Sequence, residues 1–194
     1  MKYPEDKKEY VRRLFPLVEQ IKDSSLKDKV IETWLRLWDE SKWERIESVP
    51  FMAEMELSKC SLVQHINFVT EGAQDIGHLV HDKFQLPVDF DVLLAGALLH
   101  DASKLVEFEP KGDGAQKTDF RNKITHGAYG AHIALNVGLP MDVVHLIITH
   151  TPRTTLMPCL LEGVILSYVD YLAFDTIRFG SGDKLYLEAH KKPR

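Results

Sequence analysis

A chain of 194 residues holds one domain with a sizeable core, and its 44% hydrophobic and 27% charged residues exclude a disordered or low-complexity chain. The net charge of −5 argues against a face for duplex nucleic acid, which needs a basic surface, although a local basic pocket is compatible with it. A polar start from Met1 to Lys7, two cysteines (Cys60 and Cys159) with no C-x-x-C spacing, and a longest apolar run of only Val92 to Leu99 predict a cytoplasmic protein with free thiols and no membrane span.

Helical periodicity dominates, and no alternating run or hairpin signal stands out, so the expected class is all-α. From Glu5 to Lys22 apolar residues recur at three- and four-residue steps, with Pro16 as an interruption. Ser25 with Asp28 predicts a helix start, and Val30, Trp34, Leu37 and Trp38 form one stripe of a helix running towards Ile46. Val49-Pro50 closes this N-terminal pair. A long helix is expected from Ser61 to Phe84, and another starts at Asp89. The second is apolar nearly all round from Phe90 to Leu99, the pattern of a helix buried on every side. Val106 to Lys123 reads as a long polar loop, a candidate lid. Helices resume over His126–Val137, Pro140–Thr149 and Pro158–Phe179, and a polar tail follows.

Nine histidines are many for this length, and their placement carries more than their number. His100-Asp101 ends the buried apolar helix, where a carboxylate is costly unless it is paired or binds a metal. An imidazole beside a carboxylate is the donor set of a hard-to-borderline divalent cation. Along the chain the order is His65, His100-Asp101, His126, His150 and Asp170, with Asp175 close to the last. Each lies on a separate predicted helix or at a helix end, so antiparallel helices can bring them to one point. Other histidines do not fit. His78 and His81 share the His65 helix but fall on its far side at 3.6 residues per turn, His132 and His145 are off the candidate stripes, and His190 is in the tail.

In this order and these residues the sequence resembles the HD-domain superfamily of metal-dependent phosphohydrolases, in the variant with two additional histidines. The resemblance covers roughly residues 58 to 180. It implies an HD-like helical domain over 56–180, an N-terminal helical extension over 1–55 and a polar C-terminal tail over 181–194. It further implies two divalent metal ions: one held by His65, His100, Asp101 and Asp170, the other by His126, His150 and the second oxygen of Asp101. With no cysteine in the set, iron or manganese, then zinc or nickel, are the expected metals. A metal-bound hydroxide would attack a small-molecule phosphomonoester or phosphodiester, such as a nucleotide. Lys104, one turn past His100-Asp101, and Arg153 are the candidate phosphate-binding cations, and Asp101 and Lys104 the candidate catalytic residues. The same ligand set in this superfamily also serves mixed-valent di-iron oxygenases, and a non-catalytic metal-containing binding module is a third alternative.

Smaller features have plainer readings. Gly127, Gly130, Ala131 and Ala134 make a small-residue face for close helix approach, and no strand precedes them as a dinucleotide site would need. Glu71 and Asp75 read as solvated charges. Trp34, Trp38 and Trp43 read as packing residues or as contacts of a homodimer built through the N-terminal helices.

Overall fold

The computed structural model describes residues 6–57, 59–151 and 154–189. It is all-α apart from one small hairpin. Helix α1 (Lys7–Leu14) is capped by Asp6 and stops before Pro16, which opens a short 3-10 turn over Pro16–Gln20. Helix α2 (Ser24–Glu40) starts earlier than expected, because Asp23 rather than Ser25 is its cap: the Asp23 carboxylate accepts from the Ser25 and Leu26 amides. Helix α3 (Leu62–Phe84) has a full capping box, in which Ser61 and Gln64 each accept the other's backbone N–H. Asp89 caps α4 (Phe90–Leu99), and Thr125 caps α6 (His126–Val137). Helices α7 (Met141–Thr149) and α8 (Leu161–Ser181) follow, and α9 (Tyr186–Ala189) is a single turn.

Helix α4 is the centre of the fold. Leu93 through Leu99 are all buried, and the helix packs against α2, α3, α7 and α8. One apolar cluster joins α1, α2, α4, α6 and α7, and a second lies between α3, α4, α7 and α8. Gly96 permits the closest of these approaches. A methyl group on it would stand 2.5 Å from Leu146 Cδ2 and 2.9 Å from Leu146 Cβ, so α4 and α7 meet with no space for a side chain there. The small face of α6 works in the same way, since Cβ atoms on Gly127 and Gly130 would lie 3.1 Å from Ile147.

All three tryptophans belong to the interior, with exposures of 0%, 1% and 7%. Their indole N–H groups donate to the carbonyls of Leu98, Trp43 and Phe108, respectively. Phe15 stacks on Trp34 and Tyr10 on Trp38. The tryptophans are packing residues of this chain's interior.

The segment expected as a loop is structured. Helix α5 (Lys104–Glu107) leads into an antiparallel hairpin of β1 (Phe108–Lys111) and β2 (Gly114–Lys117), and a 3-10 turn spans Asp119–Asn122. Lys111 pairs with Gly114, leaving a two-residue turn in which Gly112 takes φ +55°, a value that glycine reaches without strain. No helix among the described residues is long and apolar enough to cross a membrane.

Candidate metal centre

His65 is on the first turn of α3, His100 at the C-cap of α4, Asp101 next to it, His126 at the start of α6, His150 at the C-cap of α7, and Asp170 in the middle of α8. The fold brings these six side chains together. His65 and His100 turn their Nε2 atoms to within 3.1 Å of each other. Asp101 Oδ2 lies 3.3 and 3.6 Å from these two nitrogens, and Asp170 Oδ1 lies 3.1 and 3.7 Å from them. On the other side, the Nε2 atoms of His126 and His150 are 3.2 Å apart, and Asp101 Oδ1 is 3.3 and 3.6 Å from them. The carboxylate of Asp101 thus has one oxygen in each group.

The tautomers of two rings follow from their partners. His100 Nδ1 donates to the Ala97 carbonyl and His150 Nδ1 to the Ile147 carbonyl, each at 2.7 Å. A carbonyl only accepts, so in the neutral imidazoles the proton is on Nδ1 and the Nε2 lone pair points inward. The Phe51 ring is stacked on His65 at 3.9 Å.

Lone pairs converging on carboxylate oxygens in a dry interior repel one another unless a cation lies among them. Asp101 Oδ1 is buried and has no hydrogen-bond partner among the described residues. Ligands held at roughly 2.0–2.2 Å from one ion and about a right angle apart are ~3 Å from each other, which is the spacing seen here. His65, His100, Asp101 and Asp170 form one group that could hold a metal ion, and Asp101, His126 and His150 form a second. The residues fit the metals expected from the sequence in donor type, spacing and burial.

Charges within the cluster offset the cost of its burial. Burial pushes the Asp101 and Asp170 carboxyls up, yet Lys104 and His100 beside Asp101, and His100 and His65 beside Asp170, hold both well below the usual range. Burial works against charge on His65 too, but Asp101 and Asp170 outweigh it and raise its pKa.

Lys104 is buried at the edge of the cluster, its Nζ 2.6 Å from Asp101 Oδ2 and 3.9 Å above the Phe51 ring. It lines a cavity of about 260 Å³ whose floor includes Asp101, His126, His150 and Asp170. Arg153 lies outside the described residues.

The excluded residues have other roles. His78 stacks on Phe90, His81 Nδ1 faces the Leu86 carbonyl, His132 pairs with Asn136, and His145 accepts the Cys159 amide. Asp175 accepts the Tyr186 amide instead of joining the cluster, and Glu71 and Asp75 are exposed. Sequence reasoning missed Glu107, which ion-pairs with Arg121 and sits 3.1 Å from His126 Nδ1. The signal was there: Asp101, Lys104 and Glu107 are spaced by three along one helical face. It also missed the cavity wall formed by Phe51, Tyr171, Phe174 and Tyr186, and the cations Lys117 and Arg121 at its rim. No local pattern marks those residues.

The family model described as HD domain matches residues 62–175, more than half of the sequence. The chain belongs to the HD-domain family. Its match begins at the helix of His65 and ends beyond Asp170, so all six converging side chains of this HD domain fall inside it. The dihydroneopterin 2',3'-cyclic phosphate phosphodiesterase of Methanocaldococcus jannaschii is 26% identical over 168 residues, covering 82% of this chain and 67% of the relative. No solved structure matches the chain significantly. At the level of the family, the HD domain and this relative support a metal-dependent phosphohydrolase.

Proposed function

We propose that this HD-domain protein hydrolyses a small-molecule phosphodiester, with the cyclic phosphate of a ring-bearing alcohol as the favoured class. The observation that carries the reading is the Asp101 carboxylate, whose two oxygens serve two separate donor groups at the floor of a cavity of small-molecule size. When bound there, a pair of divalent ions supplies an activated water and a Lewis-acid clamp on the phosphoryl oxygens. The nitrogen and oxygen donors suit iron, manganese, zinc or nickel.

The chain's own residues complete the site. His65, His100, His126 and His150 present Nε2 atoms to the cluster, and Asp101 and Asp170 supply its negative charge. Lys104 brings an ammonium group to the cavity floor, where it can donate to a phosphoryl oxygen and offset the charge that builds on it. Lys117 and Arg121 add positive charge at the rim, although Glu54 and Glu107 already engage them. The apolar wall suits an aromatic substituent: Tyr171 and Tyr186 stack with centroids 4.8 Å apart, and Phe174 meets Phe51 edge-on at 6.2 Å. The relative's name, a phosphodiesterase of a pterin cyclic phosphate, agrees with such a substrate.

The test is turnover of 2',3'-cyclic phosphates and aryl phosphodiesters by metal-loaded protein, run in air and under nitrogen. The expected result is ester cleavage that stops on chelation, returns on adding metal back, and is indifferent to O₂. Turnover that needs O₂, or no turnover of any phosphodiester, overturns the reading.

A further inference from the structure

His126 differs from His100 and His150 in how its outer nitrogen is held. Those two sit at helix C-caps, where the carbonyl three residues back accepts their Nδ1–H. His126 is the first residue of α6, so no preceding helical turn offers it such a carbonyl. Glu107 faces it instead, an ion pair by distance without the angle of a hydrogen bond. Its Oε2 is 3.1 Å from His126 Nδ1, while its Oε1 meets Arg121. The residue is 2% exposed, and its carboxylate lies between Arg121 and His126.

A carboxylate facing Nδ1 keeps the imidazole proton on that nitrogen and leaves the Nε2 lone pair towards Asp101 and His150. We propose that Glu107 is a positioning residue that orients His126 for the ion at Asp101 Oδ1, so that occupancy of this second site depends on the 104–123 segment. The proposal rests on the two-metal reading above. It also gives the hairpin region a role that its polar composition conceals. Helix α5 supplies Glu107 and the following 3-10 turn supplies Arg121 to an Arg121–Glu107–His126 chain that reaches the cluster from outside the HD ligand set.

The test is metal content after dialysis against Mn²⁺, with affinities from competition against a chelating dye, for wild type, Glu107→Leu, Glu107→Gln and Arg121→Met. Loss of an outer-sphere partner of a ligating histidine costs about 10- to 100-fold in metal affinity. Wild type should bind two ions. Glu107→Leu should weaken one ion by that factor and leave the other unchanged. Glu107→Gln, whose amide oxygen can still face Nδ1–H, should recover part of the loss, and Arg121→Met should keep both ions. If Glu107→Leu does not fold, Glu107→Gln carries the test through a smaller weakening of one ion. Two ions bound by Glu107→Leu or Glu107→Gln with wild-type affinity overturn the proposal, as does equal weakening in Arg121→Met. Wild type with fewer than two ions instead overturns the two-metal reading itself.

Discussion

His100 and His150 occupy equivalent positions on neighbouring helices: each follows the last residue of its helix, and the rings meet edge to face with centroids 5.0 Å apart. Each ring is anchored to a carbonyl of its own helix, so the backbones of α4 and α7 set the directions of two of the cluster's nitrogens. The distance between those helices is set in turn by Gly96 against Leu146. Packing and chemistry are joined at that contact.

Gly96→Ala should therefore damage both. Overpacking of this kind costs about 1–3 kcal/mol, and for a chain of this size each kcal/mol lowers Tm by roughly 2–4 °C. Thermal melts with and without metal measure it. The variant should also lose part of the metal-induced rise in Tm, because His100 and His150 are pushed apart. An unchanged Tm contradicts the packing argument.

Asp101→Ala should remove both ions together, since its oxygens belong to both donor groups. Elemental analysis should find less than one ion per chain, and hydrolysis should fall by at least roughly 10²-fold. Asp170→Ala should spare the His126–His150 side, because Asp170 approaches only His65 and His100. Loss of a single ion in Asp101→Ala contradicts the bridging arrangement.

Lys104→Met keeps the length of the stem and removes the charge. Metal content should stay at the wild-type level while kcat falls by roughly 10²- to 10³-fold, the scale of losing one oriented donor at a developing negative charge. A fall in metal content equal to the fall in rate would instead make Lys104 part of the metal site.

Tyr186→Ala or Phe174→Ala should raise KM for ring-bearing cyclic phosphates and leave that for a cyclic glycerophosphate unchanged. Aromatic pairs contribute about 0.5–1.5 kcal/mol beyond area burial, which is a change of roughly 2- to 12-fold. Equal effects on both substrates contradict the ring-binding role of the wall.

The pH dependence of the metal-free protein follows from shifts of opposite sign. Asp101 and Asp170 are depressed, so their contribution is present above the unfolded value of about 3.9 and is lost as the pH falls through the folded values. His65 is raised, so its contribution is present below about 6.5 and is lost as the pH rises through its folded value. Chelated protein should be most stable between these limits. Metal needs neutral imidazoles, so the Tm gain on adding metal should be small near pH 5.5 and larger near pH 8. Parallel Tm profiles for loaded and chelated protein contradict this.

Where the sequence was legible, local chemistry and tertiary structure agreed. The starts of α3 and α4 are marked by Ser61 and Asp89, whose side chains cap them. The six cluster residues were readable because five of them lie at or near helix ends and follow one another in a recognisable order. The hairpin was hidden because its strands have four residues each, one of them containing Pro110, with too little alternation to show a face. Asp23 displaced Ser25 as a cap because two acceptor-bearing residues lie within one turn and only the geometry chooses between them. The cavity wall joins Phe51 to Tyr171, Phe174 and Tyr186, which lie far along the chain from it and share no motif with it, so only the fold unites them. Tyr186 reaches that wall from the segment read as a polar tail, tied back by its amide to Asp175.

The most direct measurement is anomalous diffraction from crystals of the metal-loaded protein, collected at the absorption edge of the bound metal. Two peaks should flank the Asp101 carboxylate, one beside the Nε2 atoms of His65 and His100 and the other beside those of His126 and His150. A single peak away from Asp101, or none with the six side chains in place, contradicts a two-metal hydrolytic centre.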